Sequence, residues 1–253
     1  MESYATAQQV YAAGLVFARL GAIIMLLPGL GETFIPARIR LAFALALTLM
    51  LFPLMVGKVP AIPVGAGDFG LAVAKEVIIG LMIGAILRLF MTSLATAGEI
   101  VSLQTTLSFA QTANPMQATP STTLGTFLGM IGIVLIFATD LDHLFIGAIV
   151  RSFDLFPFGR DLPVGDATQL AIQTLGGSFA LGLQLAAPVV VFSLIFNIAA
   201  GLVGRVMPQF QVFFAATPAI VLLGLSIFAL SLGSIGMIWI ERYRDLVGTF
   251  LAP

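Results

Sequence analysis

Apolar residues of this chain are gathered in six long runs, with short polar or proline-rich interruptions between them. The runs cover residues 10–28, 39–56, 69–95, 124–150, 170–204 and 212–240. A helix needs about 20 mostly apolar residues to cross a bilayer, and all six runs are long enough for helices. None alternates with the period of two that a membrane β-strand shows. The pattern predicts an all-α, polytopic helical membrane protein.

Prolines predict where these helices end or bend. Most fall between runs, but Pro188 and Pro218 lie inside the last two. Proline lacks a backbone N–H and clashes with the preceding turn, so kinks or broken helices are expected at both positions. Since the last two runs also exceed one bilayer crossing, they predict a long tilted or bent helical hairpin.

Composition agrees with a membrane protein and removes several functional classes. The 253 residues are 59% hydrophobic and 9% charged, with a net charge of −1, whereas a soluble domain carries about 25% charged residues. This balance offers no basic surface for nucleic acid. Cysteine is absent, there is one histidine and there is no Walker-type loop. These absences exclude disulfides, thiolate metal sites and cysteine nucleophiles and argue against nucleotide hydrolysis, and we predict no cofactor. The first residues, MESYATAQQVYAAG, carry no basic group, which argues against a cleaved signal peptide.

Ionisable residues inside the apolar runs need partners or water, because charge at membrane depth is costly. Arg19 lies within the first run and is expected either to reach an interface or to pair with an acid of a neighbouring helix. In the third run Lys75 precedes a row spaced by four residues, which is Glu76, Gly80, Gly84 and Arg88. That row follows one helix face, which is expected to look inward or toward a partner; the alternative places the charges at the two membrane interfaces.

Asp140, Asp142 and His143 form the one cluster that resembles a metal or proton site. Two carboxylates and a histidine on a short turn also describe a helix end in water, which is the interpretation we favour. No metal site is predicted.

An uncharged polar stretch divides the chain near its middle. Residues 104–121 read QTTLSFAQTANPMQATPS, and the interval from 100 to 139 holds no ionisable side chain. Non-helical backbone at membrane depth is tolerated only when it is buried in protein or lines an aqueous cavity. The stretch is either a gate for polymer passage or an ordinary loop between helices.

Several short motifs, taken in order, resemble the FliR family, the flagellar biosynthetic subunit of the type III export gate. They are PARIRLAFALA at 36–46, the Lys75-Glu76-x3-Gly80-x3-Gly84 run, Ala97-Gly98 before Gln104, Ser108-Phe109-Ala110, His143-Leu144, Arg151-Ser152-Phe153, Ala187-Pro188, and Gly201-Leu202-x2-Arg205-x2-Pro208-Gln209. Their order, together with the six apolar runs and the length, extends the resemblance over nearly the whole chain.

The resemblance implies a non-enzymatic subunit of a hetero-oligomer in the bacterial inner membrane, at the flagellar basal body. Its implied partners are FliP-like and FliQ-like subunits, FlhA-like and FlhB-like export components, membrane lipid and unfolded protein substrates. Residues 1–165 would form a FliP-like part and residues 166–253 a FliQ-like hairpin. The assembled complex would stand largely above the plane of the inner membrane. The glycine pair Gly80 and Gly84 predicts close helix packing, either within this chain or between subunits. The residues expected to serve subunit packing or to ionise are Lys75, Glu76, Gly80, Gly84, Arg88, Arg205 and Gln209.

The resemblance also implies that a plug loop of this subunit lies inside a channel. The matching residues are Gln104, Thr106, Ser108, Phe109, Gln111, Asn114 and Met116. An uncharged lining suits unfolded chains of varied sequence, while Phe109 and the flexible Met116 can fill a narrow lumen. The family usually has glycine where this chain has Thr106, and threonine disfavours positive φ, so a changed local shape is expected there.

Two alternatives stay open at this point. One is the equivalent subunit of a virulence injectisome. The other, from a different class, is a stand-alone six-helix secondary transporter with Lys75, Glu76 and Arg88 at its substrate site. Basic residues divide nearly evenly among the loops, so the positive-inside rule assigns no orientation.

Overall fold

The computed structural model describes residues 6–108, 122–160, 164–207 and 212–251, and these form seven α-helices and one 3₁₀ turn. The helices are α1 (Ala7–Leu26), α2 (Ala37–Met55), α3 (Ala66–Gln104), α4 (Thr123–Ala138), α5 (Leu141–Leu155), α6 (Val164–Val206) and α7 (Val212–Leu251), with the turn at Val56–Lys58. No strand occurs within the described ranges. The predicted all-α class is confirmed.

Helices long and apolar enough to cross a membrane make up most of the chain. Over the described residues there are five of them, or six if the bent pair α4 and α5 forms one span. This agrees with the six apolar runs of the sequence, although α3 extends nine residues beyond the predicted run, to Gln104. The protein is therefore a polytopic helical membrane protein.

The apolar pattern predicted one helix over the fourth run, but the structure has two helices there. The run is divided at Asp140, and α4 and α5 meet at an angle of 77°. Asp140 has a φ of 56°, a left-handed conformation that ends one helix before the next begins. The apolar count missed the break because two polar residues are too few to interrupt a run of this length.

Of the kinks or broken helices expected at Pro188 and Pro218, the breaks do not occur. Both α6 and α7 run without interruption through Pro188 and Pro218, and α2 likewise continues past Pro53. A proline removes one hydrogen bond of a ladder, and helices of 43 and 40 residues retain the bonds on either side of it.

The start of α1 shows how local sequence sets a boundary. Thr6 accepts a hydrogen bond at Oγ1 from the backbone N–H of Gln9, at 3.3 Å, and its own N–H donates to Gln9 Oε1 at 2.8 Å. This reciprocal capping box satisfies two N–H groups that lack partners within the helix. The helix therefore begins immediately after Thr6.

The chain is organised as two compact units, each assembled from separated stretches. The first comprises Met1–Leu89, Ile136–Thr174 and Tyr243–Pro253, and the second Phe90–Leu135 and Leu175–Arg242. In the first unit Leu15, Ile83 and Phe153 are fully buried, and in the second Leu128 and Trp239 are. Each unit has its own apolar core.

Candidate functional site

The most deeply buried charges in the described chain belong to the first unit. Arg19, near the middle of α1, donates from Nε to Glu76 Oε2 of α3 at 2.6 Å, and their side chains are 0% and 4% exposed. A charge withdrawn from solvent to this degree requires a partner of opposite sign. Of the two alternatives for Arg19, the structure shows pairing with an acid of a neighbouring helix.

Both terminal nitrogens of the Arg19 guanidinium donate to carbonyls at the end of α5. Nη1 donates to the carbonyl of Ser152 at 2.9 Å, and Nη2 donates to that of Phe156 at 2.8 Å. The Ser152 carbonyl also accepts from the N–H of Phe156 at 2.9 Å, and carbonyls at the C-terminal end of a helix carry negative partial charge, which favours a cation. Phe153 presents its ring face 4.4 Å from the guanidinium carbon, an arrangement that adds cation–π attraction. One arginine thus joins α1, α3 and the end of α5.

Two glycines let α3 approach α1 next to this ion pair. A β-carbon at Gly80 would lie 2.5 Å from the carbonyl oxygen of Arg19, and one at Gly84 would lie 2.8 Å from Leu26 Cβ. Any side chain at Gly80 would meet backbone. The spacing of four that places Glu76, Gly80 and Gly84 on one face therefore serves close contact with α1.

Arg88, the last residue of this row on α3, interacts with Glu32 and Gly31. Its Nη2 lies 3.7 Å from Glu32 Oε2, and its Nη1 donates to the carbonyl of Gly31 at 3.4 Å. The pair is partly exposed, with Arg88 42% and Glu32 22% accessible. Glu76 and Arg88 bind different residues, and Lys75 beside them is half-buried. The three groups do not converge on one substrate position.

Three of the predicted plug residues are described by the structure, and they lie at the C-terminal end of α3. Gln104 is the last residue of the helix, and Gln104, Thr106 and Ser108 are half-buried. Thr106 has a φ of 58°, so it adopts the left-handed conformation in which glycine is favoured. The expectation that threonine would avoid positive φ here was wrong, and the chain keeps that conformation at the cost of backbone strain.

The other predicted plug residues, Phe109, Gln111, Asn114 and Met116, lie outside the described residues, as does Gln209. Arg205, which the resemblance assigned to subunit packing, is exposed in the last turn of α6. There its positive charge complements the helix dipole.

Sequence reasoning missed Ser193, which contacts the end of α3, and Asn197, which bonds to Ser193. Ser193 Oγ donates to Gln104 Oε1 at 2.8 Å, and Asn197 Nδ2 donates to Ser193 Oγ at 3.2 Å. The two lie four residues apart on α6, in an otherwise apolar stretch, and that spacing was the available signal. It escaped notice because neither residue ionises.

The Asp140, Asp142 and His143 cluster lies at the start of α5. One ligand atom from each residue falls within 4.8 Å of the others, and Asp140 and His143 are exposed. Asp142 stands in the first turn, where the positive end of the helix dipole stabilises a carboxylate. Their position agrees with the predicted helix end.

Comparison with known proteins identifies the family of the chain. The family described as bacterial export proteins, family 1, matches residues 10–246. The flagellar biosynthetic protein FliR of Caulobacter vibrioides is 60% identical over 250 residues, which cover 99% of this chain and 100% of that protein. The chain belongs to the FliR family. FliR of Escherichia coli is 32% identical over 83% of this chain and 80% of its own length, and FliR of Bacillus subtilis is 27% identical over 81% and 79%.

Family membership confirms the resemblance drawn from short motifs and gives the helices a context. The chain is a membrane-embedded flagellar export protein of the FliR family, because the family match and the apolar helices of spanning length occur in the same residues.

Proposed function

We propose that this chain is a core subunit of the flagellar type III export gate. In this role it forms, with FliP-like and FliQ-like subunits, the inner-membrane channel through which unfolded flagellar proteins are exported. The observation that carries the proposal is the match to FliR of C. vibrioides over the whole of both chains. The names of the relatives are flagellar, which favours a flagellar over an injectisome gate.

The exposed surface of α6 supports an assembly with other subunits. Apolar residues along it are largely exposed, from Leu175 at 53% to Val206 at 80%; between them lie Phe179, Leu183, Val191, Leu194, Ile195, Ile198, Leu202 and Val203. At 1.5 Å per residue this stretch is about 46 Å long, whereas the hydrocarbon core of a bilayer is about 30 Å thick.

Tilting the helix does not remove the excess. At about 40°, the upper end of the range seen for membrane helices, the stretch still rises about 35 Å. One bilayer therefore leaves part of this apolar surface uncovered, and water would be an unfavourable neighbour for it. Protein subunits are the natural cover, in keeping with FliP-like and FliQ-like partners and with a complex that projects to the periplasmic side.

Within this proposal residues 1–165 form the FliP-like part and residues 166–253 the FliQ-like hairpin, whose described helices are α6 and α7. The uncharged stretch 104–121 serves as the channel plug. Neutral polar side chains suit a conduit for varied unfolded chains, because a fixed charge would retain substrates of the opposite sign.

The arrangement of charges disfavours the secondary transporter. Glu76 is committed to Arg19, and Arg88 to Glu32, so these groups serve helix packing in the first unit. A transporter would instead require an ionisable group facing a cavity at the membrane midplane.

Complementation and transport assays together test the proposal. The chain is expressed in a C. vibrioides strain that lacks its own FliR, and swimming and flagellin release into the medium are measured. Restoration of both, and co-purification of FliP-like and FliQ-like proteins, is the expected result. Solute exchange by the purified chain alone in liposomes, without restored flagellin release, would overturn the gate function and support a transporter.

A further inference from the structure

The C-terminal end of α3 is attached to α6 by a short chain of neutral hydrogen bonds. Ser193 donates to Gln104 Oε1 at 2.8 Å, and its hydroxyl oxygen also lies 3.4 Å from the Gln104 carbonyl oxygen. Asn197 in turn donates to Ser193 Oγ at 3.2 Å. We call Gln104, Ser193 and Asn197 the α3 latch. Ser193 is buried, Gln104 half-buried and Asn197 exposed, so the latch lies at the edge of the second unit.

The next residue fits against α7. Thr105 is 1% exposed, and its hydroxyl donates to the carbonyl of Val101 at 2.8 Å. That hydrogen bond fixes the rotamer, and a β-carbon at Gly224 would lie 2.6 Å from Thr105 Cγ2. The absence of a side chain at Gly224 therefore provides the space that Thr105 occupies.

The residue after Thr105 has a strained backbone. Thr106 has a φ of 58°, and a β-branched residue in this region is held there only by its surroundings. The strain favours release of the last turn of α3, and the neighbouring contacts oppose it. Neutral hydrogen bonds at a partly exposed edge are weak compared with a buried ion pair, so this attachment is easier to break than that of Arg19 to Glu76.

We propose that the α3 latch is a conformational switch, in which the last turn of α3 must detach from Ser193 for protein export to proceed. The inference rests on the proposed export function. Gln104, Ser193 and Asn197 are positioning residues in this scheme, since they hold the helix end from which residues 109–121 continue. The physical requirement is an element with two arrangements of similar free energy, and opposed strain and weak bonding supply it.

The absence of cysteine in the chain makes the test direct. Gln104→Cys and Ser193→Cys are combined in the assembled gate in cells, and flagellin release is measured before oxidation, after oxidation, and after subsequent reduction. We expect at least a tenfold fall on oxidation and recovery on reduction. Oxidation should not change the rate at which either single-cysteine variant releases flagellin, because a single cysteine cannot form the cross-link within the chain. An oxidised, cross-linked gate that exports at the rate of the reduced gate would overturn the switch while leaving the export function intact.

A single substitution provides a second test if the double-cysteine variant fails to assemble. Ser193→Ala removes one oxygen atom and with it the hydrogen bonds to Gln104 and from Asn197, whereas Ser193→Thr keeps the hydroxyl. We expect a severalfold rise in ion leakage through the idle gate for Ser193→Ala and wild-type leakage for Ser193→Thr. Equal leakage in Ser193→Ala and wild type would overturn the switch. Failure of the unaltered chain to restore export would instead refute the proposed function.

Discussion

Arg19 and Glu76 form an ion pair at 2.6 Å between α1 and α3, and both side chains are withdrawn from solvent. The pair joins residues 57 positions apart in sequence and places the close glycine contacts of α3 against α1. Its geometry makes it the central polar element of the first unit.

Removing one charge from this pair should strongly destabilise the folded protein. Glu76→Gln leaves the Arg19 guanidinium buried without a counter-charge, and breaking a buried pair in this way costs about 3–5 kcal/mol. We expect a lower denaturation midpoint in detergent and reduced accumulation in membranes. The matched control is Arg88→Gln, which removes the partly exposed pair with Glu32 and should cost less than about 1 kcal/mol. Equal effects of the two changes would contradict the structural role given to Arg19 and Glu76.

Gly80→Ala should also destabilise the first unit. The new methyl group would lie 2.5 Å from the carbonyl oxygen of Arg19, and since the obstacle is backbone, the helices must separate, at about 1–3 kcal/mol. The control is Gly70→Ala on the same helix, where nothing lies within 4 Å and where alanine should stabilise by up to about 1 kcal/mol. Thermal unfolding of both variants in the same detergent tests this, and a Gly80→Ala variant as stable as Gly70→Ala would show that α1 and α3 are not in close contact.

Thr106→Gly should relieve strain. A left-handed conformation costs an L-residue about 1–2 kcal/mol, part of which is offset by the greater freedom of glycine in the unfolded chain. We therefore expect a gain of about 1 kcal/mol or less in unfolding free energy, measured by denaturation in detergent. Thr106→Val, which keeps the β-branch, should bring no gain. A loss of stability in the glycine variant would argue against positive φ at this position.

The plug proposal predicts a specific effect for Phe109→Asp. A carboxylate in a narrow lumen would attract water, so the idle gate should leak ions while the protein still accumulates normally. Phe109→Leu keeps an apolar side chain of similar reach and serves as control. Potassium efflux from cells that carry each variant is the measurement. Normal efflux together with normal motility for Phe109→Asp would count against a plug at this residue.

Much of the architecture could be predicted from the order of apolar residues. Helices of spanning length follow from runs of about 20 apolar residues, because backbone groups in lipid must be satisfied within the segment. The spacing of four from Glu76 to Gly84 gave the α3 face that meets α1, because helical periodicity places such residues in one row. The family, too, was accessible from short motifs in order.

What the sequence could not determine depended on contacts between distant residues. The choice of Glu76 as the partner of Arg19, and of the Ser152 and Phe156 carbonyls as its other acceptors, required the packing of α1, α3 and α5. Asp140 broke a run that composition favoured as one helix, because a single left-handed residue leaves almost no compositional signal.

Thr106 shows the division between the two levels most clearly. From the sequence alone, a β-branched residue at a position where the family has glycine predicted a change of backbone shape, because local sterics disfavour positive φ. In the folded chain Thr105 is fixed against Gly224 and Gln104 is bonded to Ser193. Local preference determined the helices and where most of them end. Tertiary contacts decided the conformation of Thr106, because several contacts on one side of a residue together outweigh a strain of one or two kcal/mol.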